Sequence, residues 1–293
     1  MERVMDRPIA VITGATSGLG RIAALDLARR GYRIGVVARS RTRADALVDE
    51  LKPVAGDAPI DVFHADLGLV SHAHRVGEEI AAKYPRLDVL VNNAGLHAFS
   101  QRTTAEGFAQ MTAVNYLGAF VLTQALTSRL AASAPARIVN VASEASRQVT
   151  TIAPAEDLLN VDAYTRRESL PLYGRTKLMT IMWTQELARR LDPGEVTVNC
   201  CDPGFNATGL GRDLPGAKVL QRVLNALRIG DPRKGAGIIV RLATETAFAH
   251  ASGGYFSVRD ARPLECPEAG RDPRVQKELW DETVALLAAR TAG

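Results

Sequence analysis

The sequence has few cysteines and little net charge. Three cysteines are an odd number, and Cys200 and Cys201 are neighbours, so the disulfide framework of a secreted domain is not expected. We therefore expect a reducing location, the cytoplasm. The 36 basic and 32 acidic residues give a net charge of +4, which over 293 residues is too small to indicate binding to nucleic acid or to an anionic membrane.

Long apolar runs and low-complexity linkers are also missing. No segment approaches the ~20 apolar residues of a membrane-spanning helix. The N-terminus carries Glu2 and Asp6 where a signal peptide would be basic. Neither a linker rich in proline, glycine and serine nor an internal repeat divides the chain, so we expect one domain over residues 1–293.

Short runs rich in valine and isoleucine alternate with amphipathic stretches. Strands are predicted at residues 9–13, 34–38, 60–64, 87–92, 138–141, 197–201 and 255–258. Helices are predicted at residues 18–30, 42–51, 71–83, 105–132 and 173–191. This alternation is typical of an α/β fold with a doubly wound parallel sheet and helices on both faces. The irregular segments 144–172 and 204–230 follow strands, and we expect them to form a substrate pocket.

A glycine-rich turn, TGATSGLG at residues 13–20, connects the first predicted strand to the first helix. Glycine permits positive φ and lets backbone N–H groups approach a pyrophosphate at the helix N-terminus. A tight structural turn would also explain glycines here, but the strand before it and the helix after it favour a dinucleotide site. The predicted contacts are Gly14, Thr16, Ser17, Gly18, Leu19 and Gly20.

The end of the second predicted strand indicates which dinucleotide binds. An acidic residue there would accept hydrogen bonds from the ribose hydroxyls of NAD, but the first carboxylate after the strand is Asp45. Arg39 offers a planar donor fork to a 2′-phosphate and Arg43 adds positive charge. These arginines could instead cover a solvated helix start, an interpretation that suits Arg41 best. We predict NADP(H) in preference to NAD(H).

Tyr173 and Lys177 are four residues apart and share one helix face. A nearby ammonium favours the phenolate, so we expect Lys177 to lower the pKa of Tyr173. An exposed helical pair would be the alternative. Other polar residues follow predicted strands or lie in the long helix, namely the Asn92-Asn93-Ala94-Gly95 turn, Asn115 and Ser143.

Together these motifs resemble the classical short-chain dehydrogenase/reductase family, whose TGxxxGxG, NNAG, serine, YxxxK and PGxxxT signatures occur here in family order. The resemblance covers nearly the whole chain and implies a single-domain Rossmann fold. It implies a catalytic tetrad of Asn115, Ser143, Tyr173 and Lys177. Tyr173 would donate a proton to a carbonyl oxygen held by Ser143, and Lys177 would hold the nicotinamide ribose. Asn115 would support a proton-relaying water.

The resemblance also implies further cofactor contacts. Asp66 resembles the family's adenine contact, and Pro203, Gly204 and Thr208 resemble its clamp on the nicotinamide amide. The remaining expected cofactor contacts are Leu67, Asn93, Ala94, Gly95, Tyr173 and Lys177.

Finer matches are similar to the retinol-dehydrogenase-like branch, which handles lipophilic alcohols and carbonyls with NADP(H). They are VAR at 37–39, EDL at 156–158, GYF at 254–256 and LWDE at 279–282. Ala142, Thr176 and the Cys201-Asp202 pair depart from common family residues, which weakens inference about the substrate. The resemblance leaves a homo-oligomer possible, since the helices at 105–132 and 173–191 pair in many relatives.

The hypothesis is therefore an NADP(H)-dependent oxidoreductase that reduces a lipophilic ketone or aldehyde, or oxidises the alcohol. An S-adenosylmethionine methyltransferase also has a glycine turn on a similar sheet, but it usually needs an acidic residue after the second strand and has no use for Tyr173 and Lys177. A non-catalytic dinucleotide sensor is the third alternative. No metal is needed. His97 could line the pocket or make a local hydrogen bond.

Overall fold

The computed structural model describes residues 7–204 and 231–291. Its strands are β1 Ile9–Thr13, β2 Arg33–Ala38, β3 Ile60–His64, β4 Val89–Asn92, β5 Ala136–Val141, β6 Val196–Asp202, β7 Tyr255–Ser257 and β8 Pro263–Leu264. They form one eight-stranded sheet in the order β3-β2-β1-β4-β5-β6-β7-β8. Neighbouring strands are parallel except β7 and β8, which pair antiparallel.

Helices cover both faces of the sheet. They are α1 Gly18–Arg29, α2 Arg41–Ala55, α3 Val70–Lys83, α4 Gly118–Ala131, α5 Pro154–Leu159, α6 Ser169–Arg190, α7 Pro232–Thr244 and α8 Pro273–Thr291. The layer of α1, α2 and α7 packs on one face, and the layer of α3, α4 and α6 packs on the other. Among the described helices, none is long and apolar enough to span a membrane.

The strands are buried on both faces, which is why their sequences are continuous apolar runs. Along β1, Val11 packs with the α3–α4–α6 layer while its neighbour Ile12 packs with the α1–α2–α7 layer. The strand order reverses beside β1, whose neighbours are β2 and β4. In open parallel sheets a ligand crevice forms at this point, outside the carboxyl ends of the strands.

The predicted doubly wound sheet is confirmed, and each predicted strand matches an observed one to within two residues at either end. The helix predicted at 105–132 begins at Gln110 instead and contains a π-helical turn, Ala113–Leu117. The helix predicted from 173 begins at Ser169. Pro53 does not end α2, because the buried face continues through it to Ala55.

The last described helix, α8, packs across α6 and α5. The ring of Trp280 lies edge-on to Phe120 of α4, with ring centroids 4.9 Å apart, and the guanidinium of Arg190 lies 4.3 Å from the Trp280 ring. The hydroxyls of Tyr116 and Thr283 are hydrogen-bonded at 2.9 Å. The chain's own α8 therefore covers part of the two helices that pair in many relatives.

The edge of the sheet at β3 is held by Asp61. Its carboxylate accepts hydrogen bonds from Arg33 at 2.8 Å and from the Tyr84 hydroxyl at 2.7 Å, and it forms an ion pair with Lys83 at 2.7 Å. Burial raises the pKa of the Asp61 carboxyl, but these three partners lower it more, so the net pKa lies below its usual value.

A depressed carboxyl pKa in the folded state contributes stability that is present above the unfolded pKa of about 3.9 and is lost as pH falls through the folded pKa. We expect Asp61→Asn to lower the free energy of unfolding at pH 7 by about 1–3 kcal/mol. We also expect it to reduce the loss of stability on acidification. Denaturant unfolding between about pH 3 and pH 7 measures both. Asp49→Asn, at an exposed carboxylate paired with Lys52, is the control; equal effects of the two variants would contradict the prediction.

Candidate active site

The glycine turn lies beyond the carboxyl end of β1. Gly14 and Gly18 have φ of +66° and +58°, a conformation that favours glycine. A Cβ on Gly20 would lie 2.3 Å from the Asn93 side-chain nitrogen and 2.6 Å from the Gly14 carbonyl oxygen. The Ser17 side chain does not cap α1, so the first-turn N–H groups remain available to an anion. The six residues predicted to bind a pyrophosphate all lie in this turn.

Thr13 joins the glycine turn to the NNAG turn after β4. Its hydroxyl oxygen accepts from the backbone N–H groups of Asn93 at 3.0 Å and Ala94 at 2.9 Å, and its hydroxyl group donates to the Val91 carbonyl at 3.3 Å. The Asn93 amide donates back to the carbonyls of Thr13 at 2.9 Å and Gly14 at 3.2 Å. Two loops from neighbouring strands are thereby fixed to one another.

Arg39 and Asp66 meet at the other end of the predicted cofactor cleft. The Arg39 guanidinium lies 3.6 Å from the Asp66 carboxylate, and its side chain is 68% exposed. The other Asp66 oxygen accepts from the Gly68 N–H at 3.0 Å. Arg43 is exposed in the first turn of α2, whereas Leu67 is packed in the core. Arg39 can therefore reach a ligand phosphate, while Leu67 mainly contributes backbone and packing.

Lys177 and Asn115 are buried behind the NNAG turn. The Lys177 ammonium donates to the Val141 carbonyl at 2.7 Å. The Asn115 side chain accepts from the Leu96 N–H at 2.8 Å, and it donates to the Leu96 carbonyl at 2.9 Å and to Thr176 at 3.0 Å. A Cβ on Gly95 would lie 3.4 Å from both the Asn115 side-chain oxygen and the Lys177 nitrogen. A side chain at position 95 would therefore contact both polar groups.

Ser143 and Tyr173 complete the polar cluster. Ser143 follows β5 and caps a short 3₁₀ helix, Glu144–Gln148, by accepting from the Ala145 N–H at 3.2 Å. The Ser143 side chain lies close enough to the Tyr173 phenol to lower its pKa, and the Lys177 nitrogen lies 5.8 Å from the Tyr173 ring centroid. The structure therefore brings all four predicted tetrad residues together.

The ionisation of this cluster differs from the sequence expectation. Burial raises the pKa of the Tyr173 phenol above its usual value, the Ser143 hydrogen bond opposes this shift without cancelling it, and the charge of Asp202 adds to it. Burial lowers the pKa of the Lys177 ammonium to about 8. The expectation that Lys177 lowers the pKa of Tyr173 is therefore wrong: desolvation raises that pKa and keeps the phenol protonated at neutral pH.

Behind Ser143, Asp202 at the end of β6 supports the cluster. Its carboxylate accepts from the Glu144 N–H at 3.1 Å, and burial raises its pKa. Pro203 and Gly204 follow directly, and Gly204 has φ of +73°. Thr208 and the predicted pocket segment beyond Gly204 lie outside the described residues.

Three contributors to the site escape sequence reasoning. Thr13 carries the bridge between two loops, Thr176 orients the Asn115 amide, and the Val141 carbonyl receives the Lys177 ammonium. Thr13 stands at the first position of the TGxxxGxG signature, which is a signal for it. A backbone carbonyl such as that of Val141 gives none.

Known proteins are similar to this chain over most of its length. A family model described as short chain dehydrogenase matches residues 8–155. Retinol dehydrogenase 14 of Mus musculus is 34% identical over 297 residues, which cover 97% of this chain and 87% of that protein. A protein of Streptomyces sp. (strain C5), provisionally assigned as daunorubicin C-13 ketoreductase DnrU, is 38% identical over 277 residues, 94% of this chain and 91% of that one.

A solved structure agrees with these matches. The Pseudomonas aeruginosa RhlG/NADP active-site complex has a TM-score of 0.66 and 25% identity over 85% of this chain and 94% of that chain. The chain therefore belongs to the short-chain dehydrogenase family of oxidoreductases, which bind a nicotinamide dinucleotide. Its relatives agree with the retinol-dehydrogenase-like branch that the finer sequence matches indicate.

Thr13→Val removes the hydroxyl that joins the two loops and keeps the side-chain shape. We expect it to lower the free energy of unfolding by about 1–3 kcal/mol, because two backbone N–H groups lose their acceptor. We also expect weaker NADPH binding, measured by calorimetric titration. Thr13→Ser retains the hydroxyl and serves as the control. A Thr13→Val protein that unfolds and binds like the parent would show that the bridge has no such role.

Proposed function

We propose that the chain acts as one NADP(H)-dependent oxidoreductase domain that reduces a ketone or aldehyde of a lipophilic small molecule, or oxidises the corresponding alcohol. The observation that carries this proposal is the grouping of Tyr173 and Ser143, whose side chain lowers the pKa of the Tyr173 phenol, with the buried Lys177 and Asn115 side chains. This cluster lies beyond the carboxyl ends of β4 and β5, next to the glycine turn.

In the proposed reduction, Ser143 holds the carbonyl oxygen and Tyr173 transfers its hydroxyl proton to that oxygen. When bound, the reduced nicotinamide supplies the hydride to the carbonyl carbon. Tyr173 suits the role of donor because its raised pKa keeps the proton on the phenol until the substrate oxygen becomes basic. Lys177 would hold the nicotinamide ribose, and Asn115 fixes Leu96, the residue after the NNAG turn.

The residues present fit a dinucleotide. The glycine turn leaves first-turn N–H groups for a pyrophosphate, and any side chain at Gly20 would collide with Asn93. NADP(H) is supported by Arg39, which is exposed at the end of β2 where an acidic residue would favour NAD(H). The proposed cofactor contacts also include Arg43, Asp66, Leu67, Asn93, Ala94, Gly95, Pro203, Gly204 and Thr208.

A lipophilic substrate is supported by the surroundings of Tyr173. Its ring packs with Ala98 and Met111, and Leu96, Ala145 and Leu172 complete an apolar cluster. Apolar linings with few polar groups are typical of small-molecule sites. The names retinol dehydrogenase and ketoreductase among the relatives point to substrates of the same general kind. A cytoplasmic location belongs to the same proposal, supported by three buried free cysteines.

The two alternatives are less well supported. A methyltransferase would have no use for the buried tetrad, and the match to a dehydrogenase family argues against a methyltransferase. A dinucleotide sensor would not need a buried tyrosine grouped with Ser143, Lys177 and Asn115. A turnover assay of the parent protein and of Tyr173→Phe separates a sensor from an enzyme.

Tyr173→Phe removes the proposed proton donor and keeps the ring. We expect carbonyl reduction to fall at least about 100-fold, because that is the usual contribution of general acid catalysis. NADPH binding should persist. Turnover is followed by the loss of NADPH absorbance over a panel of ketones and aldehydes. Tyr84→Phe makes the same change at a tyrosine that binds Asp61 and should retain turnover. Full activity of Tyr173→Phe would overturn the mechanism.

Arg39→Ala tests the cofactor preference. We expect the KM for NADPH to rise by about 10- to 100-fold, as for loss of a charge-assisted hydrogen bond, with little change for NADH. Arg41→Ala is the matched control, at an exposed arginine that begins α2. It should leave the KM values for NADPH and NADH near those of the parent. A parent protein that uses NADH and NADPH equally well would contradict the proposed preference.

A further inference from the structure

The loop after the NNAG turn, residues 96–100, is fixed from two sides. Asn115 binds both the N–H and the carbonyl of Leu96. From the other side, the Tyr164 hydroxyl lies within hydrogen-bond distance of the carbonyls of Ala98 at 3.1 Å and Ser100 at 3.0 Å. Side chains on this loop are therefore held in place before any ligand arrives, which reduces the entropy cost of binding.

His97 is the polar side chain that this loop places beside Tyr173. Its ring centroid lies 5.1 Å from that of Tyr173, with the planes tilted by 31°, and 4.6 Å from that of Phe99. Its Nε2 atom lies 3.0 Å from the Ser169 hydroxyl. The local hydrogen bond, one of the two alternatives that the sequence left open, is present, and the ring also lies beside that of Tyr173.

The Ser169 hydroxyl determines which ring nitrogen carries the proton. This hydroxyl donates its single hydrogen to the Arg166 carbonyl at 2.7 Å, so toward His97 it can only accept. Nε2 of His97 must then be the donor. Burial lowers the pKa of the imidazole and favours its neutral form. Nδ1 therefore carries a lone pair and acts as an acceptor, and within the described part of the chain it has no hydrogen-bond partner.

We propose that His97 is a specificity-determining residue, whose Nδ1 accepts a hydrogen bond from a hydroxyl on the carbon next to the reacting carbonyl, with Ser169 positioning the ring. This inference rests on the proposed function. We assign the group next to the carbonyl to His97 because the His97 ring packs beside that of Tyr173, the proposed proton donor. The surroundings of Tyr173 are apolar. A substrate without the hydroxyl would leave His97 Nδ1 unpaired, so the site discriminates against it. Hydroxy ketones are the favoured class.

The first test compares 2-hydroxyacetophenone with acetophenone. His97→Phe keeps an aromatic ring against Tyr173. We expect it to lower the ratio of the two kcat/KM values by about 10- to 100-fold, because kcat/KM for the hydroxy ketone decreases. Ser169→Ala should lower the ratio several-fold, and Ser169→Thr, which retains a hydroxyl, should restore it. Equal losses for both ketones in His97→Phe would indicate a structural role only and would overturn the proposal.

A second measurement is independent of turnover. In ¹⁵N-labelled protein with NADP⁺, the His97 resonances should show the Nε2–H tautomer, and Ser169→Ala should give a mixture. Adding 2-hydroxyacetophenone should shift the Nδ1 resonance, whereas acetophenone should not. An Nδ1–H tautomer, or no shift, would overturn this inference. Binding shifts as expected in a parent protein that reduces no carbonyl would instead overturn the proposed function and leave the binding site standing.

Discussion

The Thr13 hydroxyl is the contact on which the site depends. It connects the end of β1 to the turn after β4, at the place where the strand order reverses. The glycine turn thereby acquires a fixed relation to Gly95, and Gly95 in turn packs on Asn115 and Lys177. The turn predicted to bind phosphate and the predicted tetrad residues, which are distant in sequence, are thus connected through the Thr13 hydrogen bonds and the close approach at Gly95.

Burial sets the chemistry of the polar cluster. Lys177 is 4% exposed and its ammonium meets a backbone carbonyl rather than a carboxylate. A buried cation without an ionic partner loses its charge readily, which explains why its pKa is lowered. The same desolvation holds Tyr173 in its protonated form. Desolvation thus keeps the proton on the phenol at neutral pH.

The parts of the fold that the sequence predicts are those governed by local pattern. Strands of valine and isoleucine, buried on both faces, have boundaries close to those predicted, and the spacing of Tyr173 and Lys177 places both on one helix face. The π-helical turn around Asn115 and the continuation of α2 through Pro53 depend on tertiary packing, which overrides local preference. Strand β8 has two residues and exists only because β7 offers an edge.

In the candidate site too, local pattern predicts some features and tertiary packing decides others. Motif residues identify the tetrad, but the direction of the Tyr173 pKa follows from desolvation that no spacing encodes. The proton on Nε2 of His97 depends on Ser169, which is far from it in sequence and takes no part in any motif.

The packing of α8 bears on assembly. Trp280 and Thr283 occupy the surface of α4 and α6 beside the active site, while Lys277, Glu278, Asp281 and Glu282 face outward. A second copy approaching from this side meets charged residues and not the apolar sides of the two helices. Part of the helix bearing Tyr173 is thus covered by α8 of the same chain.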